Sequence, residues 1–227
     1  MVDHPDDTGM PTLLDGLLST RAIRRFTDQD VTEADLNEIL FAATRGPSGH
    51  NMQPFRFVVS RRKPESAELR AVIARGFQEA WTPHRQAPDA DDQSRRARMA
   101  RTMSHFVDHV GEAPVIVIAC LDQTVAGRGL GAGASVYPAC QNLLLAARAL
   151  GYGGVMTHWH RTVESELRAL LELPEEVVIA ATIPIGRPVG THGPVRRRPL
   201  PELIYEDRWG VSATWAADPP GTRYTSG

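Results

Sequence analysis

The chain has 227 residues, 42% of them hydrophobic and 23% charged, a composition that can bury a sizeable core and is that of an ordinary globular protein. A formal net charge of −2 argues against general attraction to nucleic acid or to an anionic membrane surface. Two isolated cysteines (Cys120 and Cys140), an acidic N-terminus with no apolar core and no run of transmembrane length exclude a disulfide framework, a signal peptide and a spanning helix, so a cytoplasmic protein is expected.

Residues 1–9, polar and rich in aspartate, read as a loose tail. Leu13, Leu14, Leu17 and Leu18 recur at helical spacing and predict a short amphipathic helix ending near Ser19. Next comes Arg21-Ala22-Ile23-Arg24-Arg25-Phe26. In a helix or tight turn, Arg21, Arg24 and Arg25 stand at i, i+3 and i+4 and converge on one side, with Ile23 buried away from them. Guanidinium groups gathered in this way suit a phosphate, although six such residues alone describe a solvated basic face equally well. Thr32 with Asp35 forms a capping-box pattern that opens a helix carrying Leu36, Ile39, Leu40 and Ala43. The stretch from Pro47 to Pro54 cannot be regular, and its Ser48, His50, Asn51 and Gln53 exceed what a simple connection needs. Residues 55–59 predict a strand and residues 64–74 a helix, and from Gly76 to Asp92 the pattern breaks. A second helix is expected from Arg95 to Val110, with Met99, Met103, Phe106, Val107 and Val110 as its apolar stripe. Its Arg95, Arg96, Arg98 and Arg101 form a solvated face. His105 and His109 have metal-ligand spacing but no acidic or cysteine partner, and His158 and His160 are no better placed, so no metal is expected.

Residues 115–120 are apolar throughout and predict a central buried strand. Gly127 to Gly133 reads as a loop without the lysine–serine pair of a phosphate-binding loop. A long helix follows from Val136 to Leu150. Its many alanines suit a central or subunit-interface position. A short strand near residues 151–157, a helix over 164–173 and an apolar strand over 177–185 complete the core. The tail holds Arg196-Arg197-Arg198-Pro199 and then Leu203, Ile204, Tyr205 and Trp209, which must cover their own domain or reach a partner. The expected organisation is one domain over 10–215 followed by a loose tail over 216–227.

Three stretches, Arg21 to Phe26, Pro47 to Phe55 and Gln141 to Gly153, together resemble the FMN-dependent nitroreductase family, and Ile185 to Pro188 with Arg196 to Leu200 fit it as well. The resemblance spans roughly Leu13 to Trp209. It implies an α+β fold, with a mixed, mostly antiparallel sheet flanked by helices. It also implies an intertwined homodimer with FMN at the subunit interface. By position, Arg21, Ala22 and Arg24, with Arg25 in the same stretch and Arg197 from the tail, hold the phosphate and ribityl end. Ser48, Gly49 and Asn51 contact the flavin from the partner subunit. Val155, Met156, Thr157 and His158 line the ring, with backbone N–H groups near N5 and O4. Thr20 and Ala22 depart from the family's usual arginine and serine, and Met156 and His158 make a bulkier wall than its usual small residues. The implied activity is oxidation of NAD(P)H and reduction of a small aromatic acceptor, a nitro compound or quinone, by ping-pong turnover. The flavin carries the chemistry, so no catalytic side chain is required, and Arg24 is assigned to stabilising negative charge at N1 and O2. The alternatives are a specialised relative (a dehalogenase, a flavin-fragmenting enzyme or a metabolite dehydrogenase) and an FMN-storage protein. Without a Rossmann fingerprint, the residues do not decide between NADH and NADPH.

Overall fold

The computed structural model describes residues 11–89 and 91–222, so the tail expected over 1–9 lies outside the described residues. Its architecture follows from the central strand β2 (Val115–Asp122). Successive strand side chains point to opposite faces, and this strand is apolar at both sets of positions. Val115, Val117, Ala119 and Leu121 enter one core, whereas Ile116, Ile118 and Cys120 enter a second. Such a strand must be covered on both sides. It lies between β1 (Phe55–Arg61) and β4 (Val177–Gly186), and the two-residue β3 (Gly153–Gly154) pairs with β4. The order is β1-β2-β4-β3, and every strand pairing among the described residues is antiparallel.

Helices α1 (Leu13–Ser19) and α2 (Glu33–Ala43) open the chain. The Thr32 hydroxyl caps α2 by accepting the Asp35 N–H at 3.1 Å. The Asp35 carboxylate instead accepts the Tyr152 hydroxyl at 2.6 Å, and this bond, more than the one from Thr32, holds its pKa below the usual range. Helix α2 packs with α7 (Tyr137–Ala149) on the first face, where Ile39, Ala43, Ala139, Cys140, Leu143 and Ala147 are fully buried. On the other face lie α3 (Ala67–Trp81), α4 (Arg95–His109) and α8 (Glu164–Leu170). There Phe77 meets Phe106 and Trp159 edge-on at 5.6 and 5.4 Å. No helix among the described residues is long and apolar enough to cross a membrane.

Several expectations are corrected. Helix α3 runs through Gly76 to Trp81 rather than stopping at residue 74. A Cβ on Gly76 would stand 2.6 Å from Val163 Cγ2, so this glycine serves close packing and does not end the helix. A single turn α5 (Gln123–Ala126) precedes the glycine-rich loop, and the loop itself contains a second, α6 (Leu130–Gly133), after positive φ at Gly127 and Gly129. Met99 is exposed, and the buried stripe of α4 starts with Ala97 and Ala100. In α1 the four leucines are exposed and only Gly16 is buried. The chain is not loose from residue 216: Ala216 is buried, and the Asp218 carboxylate accepts the Leu200 N–H at 3.1 Å. Residues 223–227 lie outside the described residues.

A Cβ on Gly46, in the turn after α2, would lie 2.6 Å from the Ala139 backbone nitrogen, and the backbone of α7 cannot yield locally. Gly46→Ala is expected to destabilise the fold by about 1–3 kcal/mol, measured by denaturant unfolding. His160 gives a second prediction. Its ring is buried, Nε2–H donates to the Ile179 carbonyl at 3.2 Å, and Nδ1 has no partner. Burial pushes its pKa down to about 4. Unfolded chains take up that proton first, near pH 6.5, so stability is complete above that pH and declines as pH falls towards 4, by up to about 3 kcal/mol. In His160→Gln the unfolding midpoint should change less between these two pH values than in the wild type.

Candidate functional site

The arginine segment is extended, not helical, so Arg21, Arg24 and Arg25 reach one cavity by another route than i, i+3 and i+4 spacing. Residues 21–26 run along the end of the sheet as an extra edge. The Ile23 N–H donates to the Gly154 carbonyl at 3.0 Å, Phe26 bridges to Pro188, and the Val189 N–H donates to the Arg25 carbonyl at 3.0 Å. Ile23 is buried as expected, while Arg21 and Arg25 are exposed and Arg24 is half-buried. Gly153 of β3 makes this docking possible. A Cβ on Gly153 would stand 2.5 Å from Ile23 Cγ1 and 2.9 Å from His192 Nε2.

The segment forms one wall of a cavity of about 650 Å³. The 189–197 segment supplies a second wall through Val189, Thr191, Val195, Arg196 and Arg197. It is tied down where Arg21 donates to the Thr191 carbonyl at 2.8 Å and His192 Nε2–H donates to the Tyr152 carbonyl at 2.9 Å. Helix α4 is the third wall, through Arg95, Arg98, Met99 and Thr102. These stand at i, i+3, i+4 and i+7, one face of the helix that adjoins its buried stripe. The four arginines read as one solvated face therefore divide. Arg95 and Arg98 line the cavity, Arg96 Nε donates to Gln86 at 3.2 Å, and Arg101 donates to the Asp92 carbonyl at 2.7 Å and so holds the preceding loop.

Among the described residues, seven arginines and no aspartate or glutamate line this space. That concentration of charge, in a chain whose net charge is −2, suits a ligand with phosphate or carboxylate groups. Burial pulls the Arg24 pKa down from its ordinary value, a cost that a bound anion would offset. Arg95, Arg98, Val189, Thr191 and Arg196 were not among the residues singled out for binding. Arg196 was legible as a neighbour of Arg197, but nothing in the local sequence brings α4 to this place.

The remaining expected site residues lie elsewhere. Ser48, Gly49 and Asn51 form a 3-10 turn before β1 and do not line the cavity. The turn is braced by the Gly49 N–H on the Ser135 hydroxyl at 3.2 Å and the Gln53 N–H on the Ser48 hydroxyl at 3.0 Å. His50, Asn51 and Gln53 adopt positive φ. Val155, Met156, Thr157 and His158 follow β3 and do not line the cavity either. The Thr157 N–H and carbonyl both pair with Thr182 at 3.0 Å, so that N–H is not available to a ring atom. His158 is exposed, with Nε2 3.1 Å from the Tyr137 hydroxyl. Tyr137, which sequence reasoning missed, also donates to the Ala180 carbonyl at 3.4 Å. Ala180 is the extra residue where the β2–β4 register shifts between Ala119 and Cys120. His105 and His109 have ring centroids 4.4 Å apart, but among the described residues no group of three or more His, Cys, Asp or Glu could hold a metal.

Comparison with known proteins agrees with this architecture. The NADH dehydrogenase of Thermus thermophilus is 30% identical over 197 residues, covering 82% of this chain and 92% of that protein. The 5,6-dimethylbenzimidazole synthase of Rhodospirillum rubrum is 29% identical over 206 residues, 85% of this chain and 89% of that protein. A protein of Desulfovibrio desulfuricans solved in complex with FMN superposes with a TM-score of 0.64 at 29% identity, covering 86% of this chain and 96% of the other. Residues 17–187, from the end of α1 to the residue after β4, match the model of the nitroreductase family, and the chain belongs to that family.

Proposed function

We propose that the protein is an FMN-dependent oxidoreductase that takes electrons from NAD(P)H and passes them to a nitroaromatic or quinone acceptor. The observation that carries this reading is the cavity bounded by Arg21, Arg24, Arg25, Arg196 and Arg197, which no aspartate or glutamate among the described residues lines. Its chemistry fits the phosphate of FMN: guanidinium groups pair with phosphate oxygens through charge-assisted bonds. The Desulfovibrio protein with bound FMN has the same fold over most of its length. Arg21, Arg24 and Arg197 hold the phosphate, with Arg25 and Arg196 beside them, while Ala22 contributes backbone rather than a hydroxyl. When bound, FMN supplies hydride acceptance from the nicotinamide and return of two electrons to the acceptor at one shared face, hence ping-pong kinetics.

The chain's own residues position and screen. Arg24 provides positive charge at the site, offsetting negative charge gained on reduction. Met156 and His158 give the ring-side wall its bulk, and the His158–Tyr137 pair fixes the imidazole there. Ser48, Gly49 and Asn51 lie away from the arginine cavity of their own chain, consistent with their serving a partner's site. A homodimer is supported by the apolar surface that one chain leaves open. Leu13, Leu14 and Leu18 are each at least 65% exposed, Trp209 is 90% exposed and Trp215 66%. We read residues 10–215 as one domain with this C-terminal arm. The likeness to the Rhodospirillum synthase favours a second reading, a specialised enzyme that acts on one metabolite.

Purified protein is expected to carry flavin absorbance that bleaches on anaerobic addition of NADPH and returns with a nitroaromatic or quinone. Flavin that stays oxidised would point to storage instead. An Arg21→Ala, Arg24→Ala double variant should lose FMN affinity by about 100-fold or more, at roughly 1.5–3 kcal/mol for each charged hydrogen bond. Equilibrium titration with FMN measures this, and full retention of the cofactor would show the anchor to be elsewhere.

A further inference from the structure

Two separate segments bring arginines to the cavity walls beside the sheet end, and both seat on one glycine. A Cβ on Gly153 would stand 2.5 Å from Ile23 Cγ1 and 2.9 Å from His192 Nε2. Ile23 belongs to the segment of Arg21, Arg24 and Arg25, and His192 to the segment that leads into Arg196 and Arg197. The hydrogen bonds that hold residues 189–195 differ in what they are fixed to. The Val189 N–H donates to the Arg25 carbonyl at 3.0 Å, on the other arginine segment itself. The Val195 N–H donates to the Leu18 carbonyl at 3.0 Å, in a seven-residue helix of which only Gly16 is buried. Arg21 reaches the Thr191 carbonyl with an exposed side chain. Among these, the His192 Nε2–H bond to the Tyr152 carbonyl, at 2.9 Å, is the one that ends on the packed core, because Tyr152 is fully buried between α7 and β3.

We infer that His192 is a positioning residue for the cofactor: its bond to the Tyr152 carbonyl sets the spacing of the two arginine segments, and so brings Arg197 to the phosphate that Arg21 and Arg24 hold. The inference rests on the proposed function, in which that phosphate lies between the two walls. Such a grip tolerates displacement of only about 0.5 Å, and the wall that carries Arg196 and Arg197 therefore needs a fixed point. His192 does not itself line the cavity and acts through the segment it anchors. Its Nε2 faces a carbonyl, which can only accept, so that nitrogen carries the proton. Nδ1 is buried and has no partner among the described residues. Burial, and after it the charges of Arg148 and Arg21, holds the imidazole pKa below its ordinary value against the opposing bond to Tyr152. A neutral ring anchors the segment without adding to the positive charge of the walls.

The test is equilibrium titration with FMN, read together with amide hydrogen exchange over residues 189–197 in the flavin-free protein. In His192→Ala the FMN dissociation constant should rise at least about tenfold, and the Val189 and Val195 amides should exchange faster. His192→Gln carries an N–H at nearly the same reach, and should keep FMN affinity within about threefold of wild type and restore slow exchange. The amide of His192→Asn stops short of the carbonyl; this variant should behave like alanine and replaces it if the alanine form does not fold. An alanine or asparagine variant with wild-type FMN affinity overturns the inference. So does a glutamine variant as weak as alanine, since the packing of the ring rather than its donor then holds the wall. Wild-type protein that takes up no FMN defeats the functional reading instead. In that case faster exchange in His192→Ala, reversed in His192→Gln, would still bear out the anchor, and unchanged exchange would overturn it.

Discussion

Ile23 lies against Gly153 with no room for a Cβ between them, and its N–H is bonded to the neighbouring Gly154 carbonyl. This contact sets the depth at which residues 21–26 sit on the end of the sheet. From that depth follow the reach of Arg21 to Thr191, the pairing of Arg25 with Val189 and the position of the whole first wall. The neighbouring residues reinforce it from below. Tyr152 is fully buried, its hydroxyl held by Asp35 at the start of α2, its carbonyl by His192, and its ring beneath the Arg187 guanidinium at 4.5 Å. Helix α2, the sheet end and the 189–197 segment thus meet at one tyrosine.

Seven like charges around one cavity oppose the folded state unless something neutral or anionic separates them. The fold answers in part by spending donors on backbone carbonyls. Arg21 bonds to Thr191, Arg98 to Gln93 and Arg197 to the Arg196 carbonyl. Arg70, outside the cavity, shows the same device carried to completion. It is buried, bonded to the Gly111, Ser60 and Ala113 carbonyls, and its pKa is pulled down by burial to about 10. The cavity arginines are fixed less completely than Arg70, and Arg21 and Arg25 stay exposed. An anionic ligand would add counter-charge there and stabilise the folded state by its binding.

The opposite region, after β3, works by sheet geometry. The register shift at Ala180 interrupts the regular pairing of β2 and β4 and leaves a carbonyl for Tyr137, which in turn meets His158. Thr157 and Thr182 pair through both backbone and hydroxyls, the latter at 2.8 Å, so the 155–158 stretch is stiffened before any ligand arrives. The stiff 155–158 stretch and the arginine-lined cavity are thus built by different elements.

The elements with strong local signals were legible in the chain itself. The two-sided apolar run of β2, the Thr32 cap, the Val136–Leu150 helix and the two arginine runs each depend on neighbours close in sequence. Gly76 shows the limit: a glycine inside a helix reads as a break, and only its contact with Val163 reveals that it is a packing site. The arginine segment shows another. Its spacing fits a helical cluster, yet pairing with β3 at the sheet edge overrode that local option and made it extended. The sequence by itself determined which residues could bind an anion and which could form a core, because charge and apolar periodicity are local properties. Only the tertiary structure decided that Arg95 and Arg98 of α4 join Arg21–Arg25 and Arg196–Arg197 around one cavity, because that depends on which face of α4 the sheet buries and which it leaves turned towards the arginines.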